Sequence, residues 1–586
     1  IAGVINIVLK KNAKYISGDI QYGANLSSGS NNFEGGSDGE SLQLNLNYGT
    51  SLGKEGSFLN VTGSAVTRQA TSRAGIRSNG IFNAYNAVEY RAAQDGVAVN
   101  SLFSNINTTP NSAQIISTLQ QYAPEVGYFT TAQQNAISSA TSISQMQTAL
   151  NFDVTNNEIN YRGQKRSDYN MSVGQSELAT GQLYYNAKYP LSDITSVYSF
   201  GGVSFRNGKS YAFNRLPNGS GTFTQVYENG FLPEIESDIL DASAAVGVTT
   251  QLFGFDTDIS SNLGSNSFKY GVNNTINATL GVNSPSSFDA GKVSFLQSTT
   301  NLDLTKKFDI LQGLNVAFGG EFRYENYQIK AGEEASYGLY DVNGDFVSGT
   351  LPTTSPLIVT DFFGNKRGAG AQGFSGFQSA DAKEKDRKSV AAYVDLELNP
   401  TENWLLNGAA RFENYSDFGN TVTFKLASLL KLNDFINWRV SGQTGFRAPS
   451  LQQKYFETSS TQFINGSPYQ VGYFTNDSQA AKSIGVENLK PEKSKSVSTG
   501  FTFKIPSANI TISTDAYFTR IDDRVVLTGQ YSRPTDAQIG AATSPEQAEA
   551  LTLFQEAFDL KGVERASFWT NGINSETKGI DVVISQ

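Results

Sequence analysis

The chain has 586 residues, of which 39% are hydrophobic, 12% aromatic and only 17% charged, with 55 Gly and a formal net charge of -10. It contains no His and no Cys, which excludes a Ser-His-Asp triad, His-ligated zinc or haem, disulfides and thiol nucleophiles. The acidic balance leaves no basic stripe to meet phosphates, so a nucleic-acid partner is excluded. No apolar run reaches the ~18 residues of a membrane helix.

The first residue is Ile1, inside an apolar stretch, so the chain reads as a fragment and the missing signal peptide carries no information. From there the recurrent pattern has period 2. In SLQLNLNY, residues 41–48, Leu42, Leu44, Leu46 and Tyr48 share one face, and Gln43, Asn45 and Asn47 the other. The same alternation returns in residues 314–325, with Glu321, Arg323 and Glu325 on the polar face. It returns again in 390–398 and 497–505. About 16 strands follow, each as long as the ~10 residues of a tilted membrane strand or longer. They are placed near 14–22, 41–49, 56–68, 168–189, 193–206, 240–250, 255–281, 290–303, 314–328, 388–399, 403–415, 421–430, 436–447, 494–505, 509–520 and 578–586.

If successive strands alternate in direction, the connections 50–55, 190–192, 251–254, 304–313, 400–402, 431–435 and 506–508 fall at one end and are short. The connections 69–167, 207–239, 329–387, 448–493 and 521–577 fall at the other end and are long. Two connections at that second end, 282–289 and 416–420, are short. A soluble sandwich has no reason to sort loops by end, whereas an outer-membrane barrel has short periplasmic turns and long extracellular loops. The fold class is therefore all-β, an antiparallel transmembrane β-barrel. The longest loop carries two stretches with helical spacing, 112–122 and 131–150, expected as short surface helices or as a fold into the mouth.

Several segments are candidates for chemistry. Glu321, Arg323, Glu325, Arg411, Glu413, Arg439 and Arg447 are expected to face the lumen. There they either contact a plug or guide a charged ligand, or pair with one another across adjacent strands. YDVNGDF, residues 340–346, alternates Asp341, Asn343 and Asp345, but Gly344 precedes the third oxygen where a calcium loop needs it to follow. An Asn-Gly turn is the simpler expectation. The Gly-rich run 362–377 lacks the GK[ST] ending of a phosphate loop and reads as an outer loop offering Phe374 and Phe377 to a ligand. No catalytic pair, cofactor or metal site is expected.

Specific strings resemble a known family. IAGVINIVLKK (1–11) resembles the end of a plug domain, and GFRAPSLQQKYF (445–456) an FRAPS segment. ENLKPEKS (487–494) resembles an NLKPE segment, and NGINSETKGIDVVIS (571–585) a TKGxE strand entry with Asp581 in place of Glu. Together these resemble TonB-dependent outer-membrane receptors. The resemblance implies a 22-stranded barrel when complete, with about 16 strands present, the plug end at 1–13 and the barrel at 14–586. Both ends look cut, with most of the plug and about six strands absent.

The resemblance further implies uptake of a small nutrient (a ferric siderophore, another metal complex, cobalamin or an oligosaccharide) across the outer membrane of a Gram-negative bacterium. Its candidate partners would be outer-membrane lipid, TonB with its ExbB–ExbD motor and a surface lipoprotein. The alternative is a passive porin or a structural barrel of a surface complex.

Overall fold

The computed structural model describes residues 8–12, 14–29, 35–349, 351–352, 354–464 and 467–586. Most of the expected plug end, residues 1–7 and 13, lies outside these. Sixteen long strands form one antiparallel meander. They are β1 (Lys14–Ser27), β2 (Gly36–Thr50), β3 (Phe58–Arg68), β4 (Glu177–Pro190), β5 (Ser196–Tyr211), β6 (Glu234–Leu252), β7 (Phe255–Asn273) and β8 (Ser287–Phe308). The run continues with β9 (Leu314–Lys330), β10 (Lys383–Thr401), β11 (Trp404–Tyr415), β12 (Gly419–Lys431), β13 (Ile436–Arg447), β14 (Glu492–Ile505), β15 (Ile510–Leu527) and β16 (Arg565–Ser585). Each strand pairs with its neighbours in sequence, and among the described residues β1 and β16 do not pair with each other. The sheet is thus the wall of a barrel left open.

The register keeps one apolar face continuous across the whole wall. Ile20 lies opposite Leu44, Leu44 opposite Ala65, and Leu183 opposite Val203. Phe322 lies opposite Val390, Phe412 opposite Val422, and Ala516 opposite Ile580. Large side chains on this face are exposed, among them Ile20, Leu46, Leu426, Val497 and Ile584. A single leucine at the surface is ordinary, but an unbroken exposed apolar face of this size requires a non-aqueous solvent. Near the short connections the same face carries aromatics: Phe255 meets Phe308 and Phe318 edge-on, at 6.3 and 5.5 Å between centroids. There the indole N–H groups of Trp404 and Trp438 donate to Ser428 and Thr499 at 3.0 and 2.9 Å. An apolar band ending in aromatics with satisfied polar tips is the pattern of a membrane barrel's interface girdle.

The seven connections at this end are 51–57, 191–195, 253–254, 309–313, 402–403, 432–435 and 506–509. Tight turns there force left-handed backbone at Phe253, Leu311 and Asn509, with φ of 53°, 56° and 53°. The long connections 69–176, 212–233, 331–382, 448–491 and 528–564 all lie at the other end.

Before β1, residues 8–12 run across the polar face. Asn186 of β4 donates its Nδ2 to the Lys10 carbonyl at 2.9 Å, and Asn60 of β3 donates to the Asn12 carbonyl at 3.3 Å. Gly49 is needed beneath this segment, because a Cβ there would collide with the Asn12 carbonyl oxygen.

Candidate ligand-binding mouth of the barrel

On the polar face the charges of neighbouring strands interlock. Arg323 donates to Glu321 at 2.7 Å, and Arg411 bridges Glu321 and Glu413 at 3.2 and 2.6 Å. Tyr415 Oη donates to Glu413 at 2.8 Å. On β13, Arg439 Nε donates to Asp515 at 2.7 Å, and its other nitrogens reach Thr502 and Ser513 at 2.7 Å each. Arg447 stands 3.7 Å from Glu492. All seven charges named from sequence therefore lie on the polar face, six of them in close ion pairs. Elsewhere on this wall aspartates are held by neutral donors: Tyr198 donates to Asp258 at 2.9 Å, and Asn266 to Asp241 at 2.6 Å.

Glu325 is the most buried of the seven, because it sits where the wall meets the loops. Arg387 Nε donates to it at 2.7 Å, with side-chain exposures of 5% and 8%. Arg387 also donates to the Pro449 carbonyl at 2.8 Å, which ties the loop 448–491 to β9 and β10. Lys454 of that loop reaches Asp417 at 2.7 Å. The alternating pattern starts that strand at 388, one residue past Arg387. Its parity with Tyr393 and Asp395 would have placed it on the lumen face.

Phe377 packs into the mouth instead of projecting from it. It is 1% exposed among Tyr327, Ile329 and Leu451. Phe374 is partly buried and stacks on Tyr270 with centroids 4.9 Å apart. Of the pair, only Phe374 keeps surface for a ligand.

The loops 69–176, 212–233 and 331–382 fold together into a cap. Loop 69–176 contributes α1 (Ala84–Gln94), α2 (Ser112–Tyr122), α3 (Thr131–Ser138), α4 (Ile143–Leu150) and α5 (Thr155–Tyr161). The start of α1 is capped reciprocally by Asn83 and Asn86, and that of α3 by Thr130 and Gln133. The two stretches of helical spacing are therefore helices, and they build a core: Ile115, Leu119, Met146 and Leu150 are fully buried in it. Phe362 of the loop 331–382 enters the same core, stacked on Tyr85 at 4.1 Å. Asn86 donates to the Pro217 carbonyl at 3.1 Å, which brings in the loop 212–233.

Charges inside the cap are paired. Glu158 takes Arg91 and Arg162 at 2.7 Å each, all three nearly inaccessible, and accepts from Tyr128 Oη at 2.6 Å. The Arg162 guanidinium also lies over the Tyr90 ring at 3.9 Å. Only the i,i+4 spacing of Glu158 and Arg162 was visible in sequence; Arg91 arrives through the fold. Glu89 is different: it accepts from Asn100 and from Thr224 Oγ1 but has no cation within ion-pair distance among the described residues. Burial drives its pKa up from 4.5 to about 7, against the lowering effect of its Thr224 hydrogen bond.

The loops 448–491 and 528–564 form a second cluster, built on α6 (Pro545–Lys561), with Phe474, Phe554, Phe558 and Phe568 buried together. An ionic latch joins it to the cap's loop: Lys561 pairs with Asp381 and lies 4.0 Å from Glu457, which in turn pairs with Lys383. Residues 341–345 form a hairpin turn between the short strands Leu339–Tyr340 and Phe346–Val347. Asp341 Oδ1 accepts from the backbone N–H of Asn343 and Asp345 at 2.8 and 3.1 Å. Its oxygens are thus spent on the turn.

An open antiparallel wall, apolar outside and polar inside, with loops folded over one end, is the wall of a membrane β-barrel. The family model described as TonB dependent receptor-like, beta-barrel, matches residues 236–585, and the chain belongs to that family. Among solved structures it resembles the siderophore receptor PirA from Acinetobacter baumannii, at 11% identity over 98% of this chain and 60% of that one, with a TM-score of 0.51. It also resembles a point mutant of the ferric enterobactin receptor PfeA from Pseudomonas aeruginosa in complex with enterobactin, at 10% identity over 98% of this chain and 61% of that one, with a TM-score of 0.52. At such identity the likeness is one of fold, and the chain spans about 60% of the length of these receptors. No curated protein matches.

Proposed function

We propose that this chain is the barrel of an outer-membrane receptor that binds an extracellular nutrient in its outer loops and passes it to the periplasm with energy supplied through TonB. The observation that carries this reading is the sorting of the molecule by end and by face. Short turns and an aromatic girdle mark one end, ligand-sized loops the other, and the polar face is turned away from lipid. Residues 8–12, hydrogen-bonded across that polar face, support a plug entering from inside the wall, with Glu321, Arg411 and Arg439 as surfaces for it to meet. The barrel does no chemistry; it binds selectively and gates.

The alternative is a structural barrel, and the self-paired charges favour it, since a wall that satisfies its own ions needs no plug to complete it. One experiment separates the two. Uptake by cells expressing the full protein is measured with and without TonB. Saturable uptake that disappears without TonB is expected; uptake indifferent to TonB, or none, supports the passive reading.

A further inference from the structure

Between the start of the cap and the loop 331–382 lies an open groove of about 330 Å³, within the size range of small-molecule sites. None of its lining residues is ionisable. From the groove geometry we infer that this is a recognition site for a neutral, hydroxyl-rich ligand of the carbohydrate class. The inference rests on the receptor reading above and specifies what the receptor takes.

Three features of this chain carry it. First, residues 97–152, which supply most of the groove wall, contain one charged residue, Glu125, in a chain that is 17% charged. A carboxylate, catecholate or phosphate that gave up water to enter this groove would meet no counter-charge. A sugar hydroxyl exchanges water for an amide or a hydroxyl at little net cost. Second, the polar groups are held ready. Asn105 is buried; its Nδ2 donates to the Pro356 carbonyl at 3.2 Å and its Oδ1 accepts from the Asn107 N–H at 2.9 Å. That fixes the amide and leaves one N–H and one lone pair for a ligand. The hydroxyls of Ser104 and Thr108 line the groove, are exposed, and have no hydrogen-bond partner among the described residues. Third, Leu102, Pro110 and Pro356 give the groove apolar surface on which the C–H face of a pyranose can rest.

The test uses the full-length receptor in detergent. A panel of short neutral gluco-, xylo-, manno- and galacto-oligosaccharides is screened beside ferric catecholate and ferric hydroxamate complexes, and each binder is titrated by calorimetry at low and high salt. At least one neutral oligosaccharide is expected to bind, with an affinity that salt leaves unchanged. Thr108→Trp, which fills the groove, is expected to weaken it by more than about tenfold. Ser104→Ala, at an exposed position outside the cap core, is expected to weaken it severalfold, which guards against misfolding of the larger variant. Binding of no oligosaccharide, or binding that Thr108→Trp leaves intact, overturns the assignment. TonB-dependent uptake of a ferric complex alone would discard this inference and keep the receptor; oligosaccharide binding without TonB-dependent uptake would keep the groove and discard active transport.

Discussion

The wall and the cap are built by opposite rules from one chain. Of the twelve largest fully buried side chains among the described residues, only Tyr327 and Phe568 lie on barrel strands, and the rest lie in outer loops. Conversely, the wall exposes Ile16, Ile20, Leu426, Val422 and Ile580, each 49% exposed or more. The wall is held by backbone ladders and by an apolar face that needs lipid; the cap is held, as a water-soluble domain is, by a core that needs to be hidden. The difference teaches where a perturbation acts. In the cap, volume and charge inside the core decide stability. On the wall, only the outward or inward direction of a side chain does.

The sharpest test strikes the cap's ionic core. Glu158→Gln leaves Arg91 and Arg162 buried without a counter-ion, and is expected to destabilise the cap by about 3–5 kcal/mol. Limited proteolysis should then cleave within residues 81–169, while far-UV circular dichroism of the wall is unchanged. Loss of the β signal would show that the two regions fold as one.

The second tests the cap's pH dependence. Glu89 has a folded pKa raised from 4.5 to about 7, so between these values the folded cap binds more protons than the unfolded one. Its contribution is complete below about pH 4.5 and is lost as pH rises to about 7, a change on the order of 3 kcal/mol. Hydrogen exchange of α1 should therefore speed up from pH 5 to pH 7 beyond the intrinsic chemical rate. Glu89→Gln should flatten that excess. An unchanged profile in the variant would mean another group sets it.

The third moves to the wall. Leu426→Arg places a charge on the outward face, where it should cost about 2–4 kcal/mol near the midplane in a bilayer. A surface leucine of a water-soluble protein would accept the change within about 0.5 kcal/mol. Urea unfolding in lipid vesicles reads the difference; a cost near zero would remove lipid as the solvent of this face.

Much of the wall was legible in sequence because each lipid-facing position must be apolar and each lumen-facing one polar. All sixteen expected strands are present, and β13 matches at both ends. The errors fall where that constraint fades. The last strand was expected from 578, yet it begins at Arg565, because its outer half rises beyond the apolar band and keeps no alternation. The strand expected at 255–281 stops at Asn273, where Asn274 turns left-handed at φ 47°. The expected strand start at 168 falls in a short helical turn, Arg166–Tyr169, with Tyr169 buried in the cap core. The mouth was legible only in part. The seven charges of the polar face could be named from alternation, but Lys383, Glu457, Asp381 and Lys561 meet through loops whose partners no periodicity encodes. Phe377 is an aromatic in a Gly-rich loop, and the same glycines let that loop fold inward and bury it.

The smallest expected effect sharpens the comparison within the loops themselves. Lys561 closes the latch on Asp381, whose side chain is 2% exposed. Lys561→Ala leaves that carboxylate with the Gln378 N–H at 3.4 Å and no cation, and is expected to cost about 1–3 kcal/mol, confined to the contact. Hydrogen exchange should rise in α6 and near residues 379–383 and stay constant in α1–α5, because the cap's core of Ile115, Leu119 and Phe362 does not include the latch. If protection in α1–α5 falls by the same amount, cap and second cluster open as one lid, and the latch holds the mouth as a whole. If only α6 responds, the two clusters move separately, and a ligand entering between them has one hinge to displace.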